Sequence, residues 1–244
     1  MEQFRIFRAL GLSFRSWFRN FIPFTLMAAL LYAPVIIWIA VYDPRGADGL
    51  EAAVNNTFVR PVFAMVGIAA LLPPLLIYRV VQELNGQKVS MLASVKYGLR
   101  GILPAVILAV VVNAVSFIPM GGIVGAILTC IWFVAAPAAV AERLGPFAAF
   151  GRSSYLTQGR RWGIFGLTFL LGLVMVVLLV AWIAPMINSN PLRILSNLKP
   201  YALAFVVILG LFHMFTGIVQ AVSYCLLRKD KDGVSHEELA RVFE

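Results

Sequence analysis

Residues Ala136–Trp162 read APAAVAERLGPFAAFGRSSYLTQGRRW and lie between two long apolar runs. The first run ends at Pro137–Ala141. Glu142 and Arg143 follow, then Gly145-Pro146, a short amphipathic segment, and Arg152, Arg160 and Arg161 with Trp162 beside them. Basic, amphipathic junctions of the same kind precede the first and third apolar runs. Runs of roughly 20 apolar residues are long enough to cross a hydrocarbon core of about 30 Å. A chain that alternates such runs with basic junctions has the plan of a polytopic membrane protein.

Composition points the same way. The 244 residues are 61% hydrophobic and 13% charged, with a mean hydropathy of +0.90. Soluble domains hold roughly 45–50% apolar and about 25% charged residues. The formal net charge of +9 follows from topology, because Lys and Arg gather in cytoplasmic loops, and nucleic acid is not an expected partner. No cleavable signal is expected, since the apolar run after the basic Met1–Asn20 is long and Tyr42-Asp43-Pro44 is no small-residue cleavage site. Cys130 and Cys225 fall at different depths and show no metal-ligand spacing, so neither a disulfide nor a metal or cofactor is expected.

The expected fold is all-α: a bundle of six transmembrane helices in three hairpins, with basic amphipathic interfacial helices. Residues 1–20 form the first of these helices. Phe4, Phe7, Leu10, Phe14, Trp17 and Phe21 recur at helical spacing beside Arg5, Arg8, Arg15 and Arg19, a pattern suited to the headgroup plane. The membrane domain covers residues 21–228, with spans at about 22–42, 61–78, 102–118, 123–141, 163–184 and 201–227. Pro73-Pro74 predicts a kink in the second span. In the second junction Val89, Leu92, Val95 and Leu99 form a helical stripe. Pro119–Gly122 is a tight turn joining spans three and four. Residues 229–244 are a tail in which Ser235-His236-Glu237-Glu238 fits a capping box. Of the 20 basic residues, sixteen fall in the segments on one side of this arrangement and four on the other, which predicts that both termini are cytoplasmic.

An internal repeat is legible. Ser13–Pro23 aligns without gaps on Ser94–Pro104, with Arg19 matching Arg100, and Ser154 and Arg160 keep the same spacing before the fifth span. Three parallel units, each a surface helix followed by two spans, account for the pattern.

In the sixth span Gly210, His213, Gly217, Gln220 and Tyr224 share one helical face. Asn113 and Ser116 in the third span are the expected partners. An ionisable residue at that depth marks a solute path or a polar packing seam between helices. Glu83 and Glu142, each with an arginine near in sequence, read as anchors at span ends. Arg5, Arg8, Arg15, Arg19, Arg152, Arg160, Arg161 and Trp162 are candidates for anionic lipid headgroups. Zincin, nucleophile-elbow and Walker motifs are all missing, so no enzyme is expected.

Two stretches resemble a family of bacterial inner-membrane proteins related to the membrane domain of some glycerophosphoryl diester phosphodiesterases. The first holds Pro137, Glu142, Gly145, Arg152-Ser153, Leu156-Thr157, Gly159 and Arg161-Trp162. The second holds Tyr224, Leu227-Arg228 and Lys229–Gly233. Ser154, Cys225 and Leu226 depart from that pattern. The resemblance implies six spans, an inner-membrane location and a role near lipids. It does not imply phosphodiesterase activity, which in the fused relatives belongs to a separate soluble barrel. The expected function is a non-enzymatic, lipid-associated structural or accessory component of the envelope, or a subunit of a membrane complex. Anionic lipids, another membrane protein or a second copy are its expected partners. The alternative is a transporter or channel for a small solute or lipid, built on the stripe in the sixth span.

Overall fold

The computed structural model describes residues 6–43, 50–69, 71–84, 90–99, 121–187, 190 and 196–233, with 102–103, 106–107, 110–111 and 114. No strand occurs among them. The helices are α1 (Ile6–Arg19), α2 (Phe21–Val41), α3 (Leu50–Val54), a π-helical turn (Asn55–Val59), α4 (Arg60–Ala69), α5 (Leu72–Leu84) and α6 (Met91–Gly98). They continue as α7 (Gly121–Ile131), α8 (Ala135–Glu142), α9 (Pro146–Thr157), α10 (Arg161–Ile187) and α11 (Leu198–Asp232).

Four stretches are helices long and apolar enough to cross a membrane: Phe21–Val41, Val124–Glu142, Arg161–Ile187 and Leu198–Asp232. The second expected span is not one kinked helix. It is divided between α4 and α5, and the Leu71 N–H bonds Ile68 O at the join. Pro73 and Pro74 fall in the first turn of α5. There their missing N–H groups cost little, so the prolines restart a helix instead of bending one. Most of the third expected span lies outside the described residues, as do Asn113, Ser116, Arg5, Arg100 and the Ser235–Glu238 capping box.

Helix α11 is the centre of the bundle and packs on α5, α2 and α1 above all. Small residues let neighbours approach closely. A Cβ on Gly217 would lie 3.3 Å from the Leu76 side chain and 3.4 Å from Pro73 Cα. The helix runs five residues beyond the expected end at 227 and stops at Gly233, whose φ of +68° suits glycine. Residues 229–232 are therefore helical. By contrast α10 is peripheral: 17% of its apolar window is buried, against 61% for Val124–Glu142. Its exposed Leu173, Val176, Val177 and Val180 suit contact with acyl chains. Trp162 and Trp182, twenty residues apart on that helix, are separated by about 30 Å at ~1.5 Å per residue. That length matches the hydrocarbon thickness.

The surface helices dock largely through small residues, and part of each apolar stripe faces outward. Helix α1 buries Ala9, Ser13 and Ser16, with Asn20 just beyond, while Phe7 is 86% exposed. Phe14 and Trp17 of the aromatic stripe reach α11, with rings 4.6 and 5.5 Å from that of Phe215. Helix α6 buries Ser94 and Gly98 and leaves Leu92 80% exposed. A Cβ on Gly98 would sit 2.7 Å from Leu75 Cα and 2.8 Å from Pro74 O, so only glycine allows this contact. Helix α9 buries Ala149, Ser153, Leu156 and Thr157 and leaves Phe147 outside. Small residues thus lie against the bundle in each helix, joined by Leu156 on α9 and Trp17 on α1, while Phe7, Leu92 and Phe147 remain on the outer side.

Candidate functional site

The two stretches that carry the family resemblance meet in one polar network. Its foundation is a break between α7 and α8 at Trp132–Val134. Pro137 lies in the first turn of α8, where its ring tolerates no helix continuing through residue 133. The Ala135 N–H bonds Trp132 O, so the Ile131 carbonyl loses its helical donor. Ser153 Oγ donates to that carbonyl at 2.9 Å and Thr157 Oγ1 at 3.2 Å. Their four-residue spacing puts both hydroxyls on one face of α9. Gly145 caps α9 with Pro146 at its first position, and Gly159, at φ +81°, turns the chain out of α9.

Helix α8 ends at Glu142, with Arg143 left-handed at φ 55°. The glutamate is held by residues from two other helices. Arg152 Nε donates to both Glu142 oxygens at 2.9 Å, and Tyr224 Oη donates to Oε1 at 2.8 Å. Arg228 Nε stands 3.7 Å from the same oxygen, and Arg228 Nη1 donates to Tyr224 Oη at 3.2 Å. Arg152 Nη2 donates in turn to Asp232 Oδ2, and Arg160 Nη2 lies 2.9 Å from Asp230 Oδ2. The rings and cations are layered too, with Arg152 and Lys231 at 5.5 and 5.4 Å from the Tyr155 centroid. Burial alone would lower the Arg152 guanidinium, but its bonds to Asp232 and Glu142 outweigh that and hold it above its ordinary value. Glu142, Asp230 and Asp232 thus face Arg152, Arg160 and Arg228, and these ion pairs join α8, α9 and the turn before α10 to α11.

A second cluster joins α1 to the end of α5. Ser16 Oγ donates to Glu83 Oε2 at 2.5 Å, and Arg19 Nε lies 3.6 Å from Oε1. Arg79 donates through two nitrogens to Asn20 Oδ1, each at 3.0 Å. Burial raises the Glu83 carboxyl above its ordinary value, against the opposing pull of Ser16 and Arg19. Arg19 and Arg160, aligned in the repeat, each meet an acid on a later helix of their own unit.

The stripe on α11 lies inside the bundle. Tyr32 Oη of α2 is in hydrogen-bond contact with His213 Nδ1 at 3.0 Å. A Cβ on Gly210 would come within 3.3 Å of the Tyr32 ring, and Tyr224 ends the stripe in the Glu142 network. Gln220 is half-buried. Of the candidate headgroup residues, Arg152 and Arg160 are committed to carboxylates, and Arg19 leans on Glu83. Arg8, Arg15, Arg161 and Trp162 are exposed.

Asp230, Asp232 and Tyr32 were not among the candidates read from sequence. Arg228 and Asp232 do stand at ion-pair spacing, and Tyr32 is a phenol deep in an apolar run. Both were usable signals. Among the described residues no group of three or more His, Cys, Asp or Glu could hold a metal ion. Protein-family models, curated proteins and solved structures give no match to this chain, so its role has to be read from its own residues.

Proposed function

We propose that the chain is a six-span inner-membrane protein with both termini cytoplasmic, and that it works without enzymatic chemistry as a lipid-associated structural or accessory component. The observation that carries this reading is that α1, α6 and α9 dock through faces rich in small residues and turn Phe7, Leu92 and Phe147 outward. Bulky apolar residues and, on α1, Arg8 and Arg15 are left on the outer side. A helix clamped by its small face, with aromatics and arginines outward, fits the boundary between headgroups and acyl chains. Each basic residue there adds about 1 kcal/mol of attraction to anionic lipid. The resemblance to the six-span inner-membrane family supports the same reading.

The stripe through His213 supports helix packing more than conduction. Gly210 and Gly217 are filled by neighbouring helices, and Tyr32 engages the imidazole.

The test is lipid binding by the intact protein after Arg5, Arg8 and Arg15 are changed to Gln, with Arg19 kept because it holds Glu83. Retention of phosphatidylglycerol should fall more than tenfold, while phosphatidylcholine is unaffected. Unchanged retention of phosphatidylglycerol would remove the basis of the proposal.

A further inference from the structure

A groove of about 520 Å³ opens between α7 and the first turns of α10. Ile127, Cys130 and Ile131 line it on one side and Phe165 on the other, with Arg161 and Trp162 at the end beside the Arg160–Asp230 pair. Its volume falls within the roughly 300–1,000 Å³ typical of ligand sites. The body of the groove is apolar and its end is cationic.

Arg161 differs from the arginines around it. Arg152, Arg160 and Arg228 all face carboxylates. Arg161 is exposed and has no carboxylate partner among the described residues. No acidic residue occupies the first turn of α10, so the positive end of that helix adds to the same potential. Trp162 is 86% exposed and stands edge-on to Phe165, with centroids 6.1 Å apart at 85°. An indole with an apolar body and a polar tip belongs at the headgroup level.

We propose that this groove binds an anionic glycerophospholipid from the adjoining leaflet. One acyl chain lies along Ile127, Cys130, Ile131 and Phe165, and the phosphate rests on Arg161. The inference rests on the reading above, that this end of the bundle meets an anionic headgroup layer. A helix from a second copy fits less well, because it would bury Arg161 without a counter-ion.

The experiment uses the full chain in neutral detergent with phosphatidylglycerol carrying a photoreactive group in its acyl chain. Phosphatidylcholine with the same chain is the comparison, and adducts are mapped by mass spectrometry. Adducts are expected on α7 and the first half of α10. Arg161→Gln should reduce them about fivefold, the equivalent of one basic residue at a headgroup layer, and Arg161→Lys should retain them. Ile127→Trp, which fills the groove from a half-exposed position, should abolish them with Arg161 intact. Equal labelling by the two lipids, or labelling indifferent to both Arg161→Gln and Ile127→Trp, overturns the site. If groove variants change nothing while the α1 substitutions still release phosphatidylglycerol, only the groove is wrong. If the wild-type protein retains phosphatidylglycerol no better than phosphatidylcholine, the broader reading falls with it.

Discussion

At the scale of single residues, the Ile131 carbonyl shows how one proline organises its surroundings. Pro137 ends α7 early, and the stranded carbonyl is shared by Ser153 and Thr157. Ser153→Ala or Thr157→Ala alone leaves one donor, and each should cost under about 1 kcal/mol. The double substitution strands a buried acceptor and should cost roughly 1–3 kcal/mol, more than the two singles together. Thermal unfolding in detergent measures this, with Ser154→Ala as the near-neutral control. Glu83 makes a pH prediction. Burial raises its carboxyl above the ordinary range, so the folded protein holds that proton more tightly than the unfolded chain. This contribution is fully present below the ordinary carboxylate value and is lost as pH rises through it to the raised value. Glu83→Gln should flatten that part of a stability profile taken between about pH 4 and about pH 8. A profile unchanged by the substitution would show that Glu83 is not the titrating group.

At the scale of helices, the docking faces separate what the sequence reveals from what it hides. The existence of α1, α6 and α9 follows from apolar periodicity and flanking arginines, and the ends of α2 fall within a residue of those expected. Which face docks does not follow. In water residues such as Phe7 and Phe18, both exposed here, would turn inward, but against lipid the hydrophobic effect no longer ranks faces by size. Close approach of backbones then decides, and Ala9, Ser13 and Ser16 win. Gly98 tests this directly. A methyl group there would meet Leu75 and Pro74 backbone atoms, whereas Gly11 has nothing within 4 Å. Gly98→Ala should destabilise the protein by about 1–3 kcal/mol through overpacking. Gly11→Ala should be neutral or slightly stabilising, since alanine is the better helix former.

At the scale of the whole molecule, the bundle is built around α11, and the charged clamp ties that helix to the middle of the chain. Glu142 and Asp232 lie ninety positions apart, a distance that periodicity and charge counting cannot bridge. The two stretches that carry the family resemblance gave the closest hint, because their residues prove to be mutual partners. The continuation of α11 to Asp232 is hard to see in the charged residues after Leu227. Alternating charge at ion-pair spacing extends a helix as readily as it ends one. The central claim is that the outward arginine-bearing and aromatic surfaces hold anionic lipid, and the lipids kept by the intact protein test it most directly. When the protein is extracted gently from native membranes and its bound lipids are weighed by mass spectrometry, anionic phospholipids should be several-fold enriched over the surrounding membrane. Retained lipids with the same composition as the bulk membrane would contradict it.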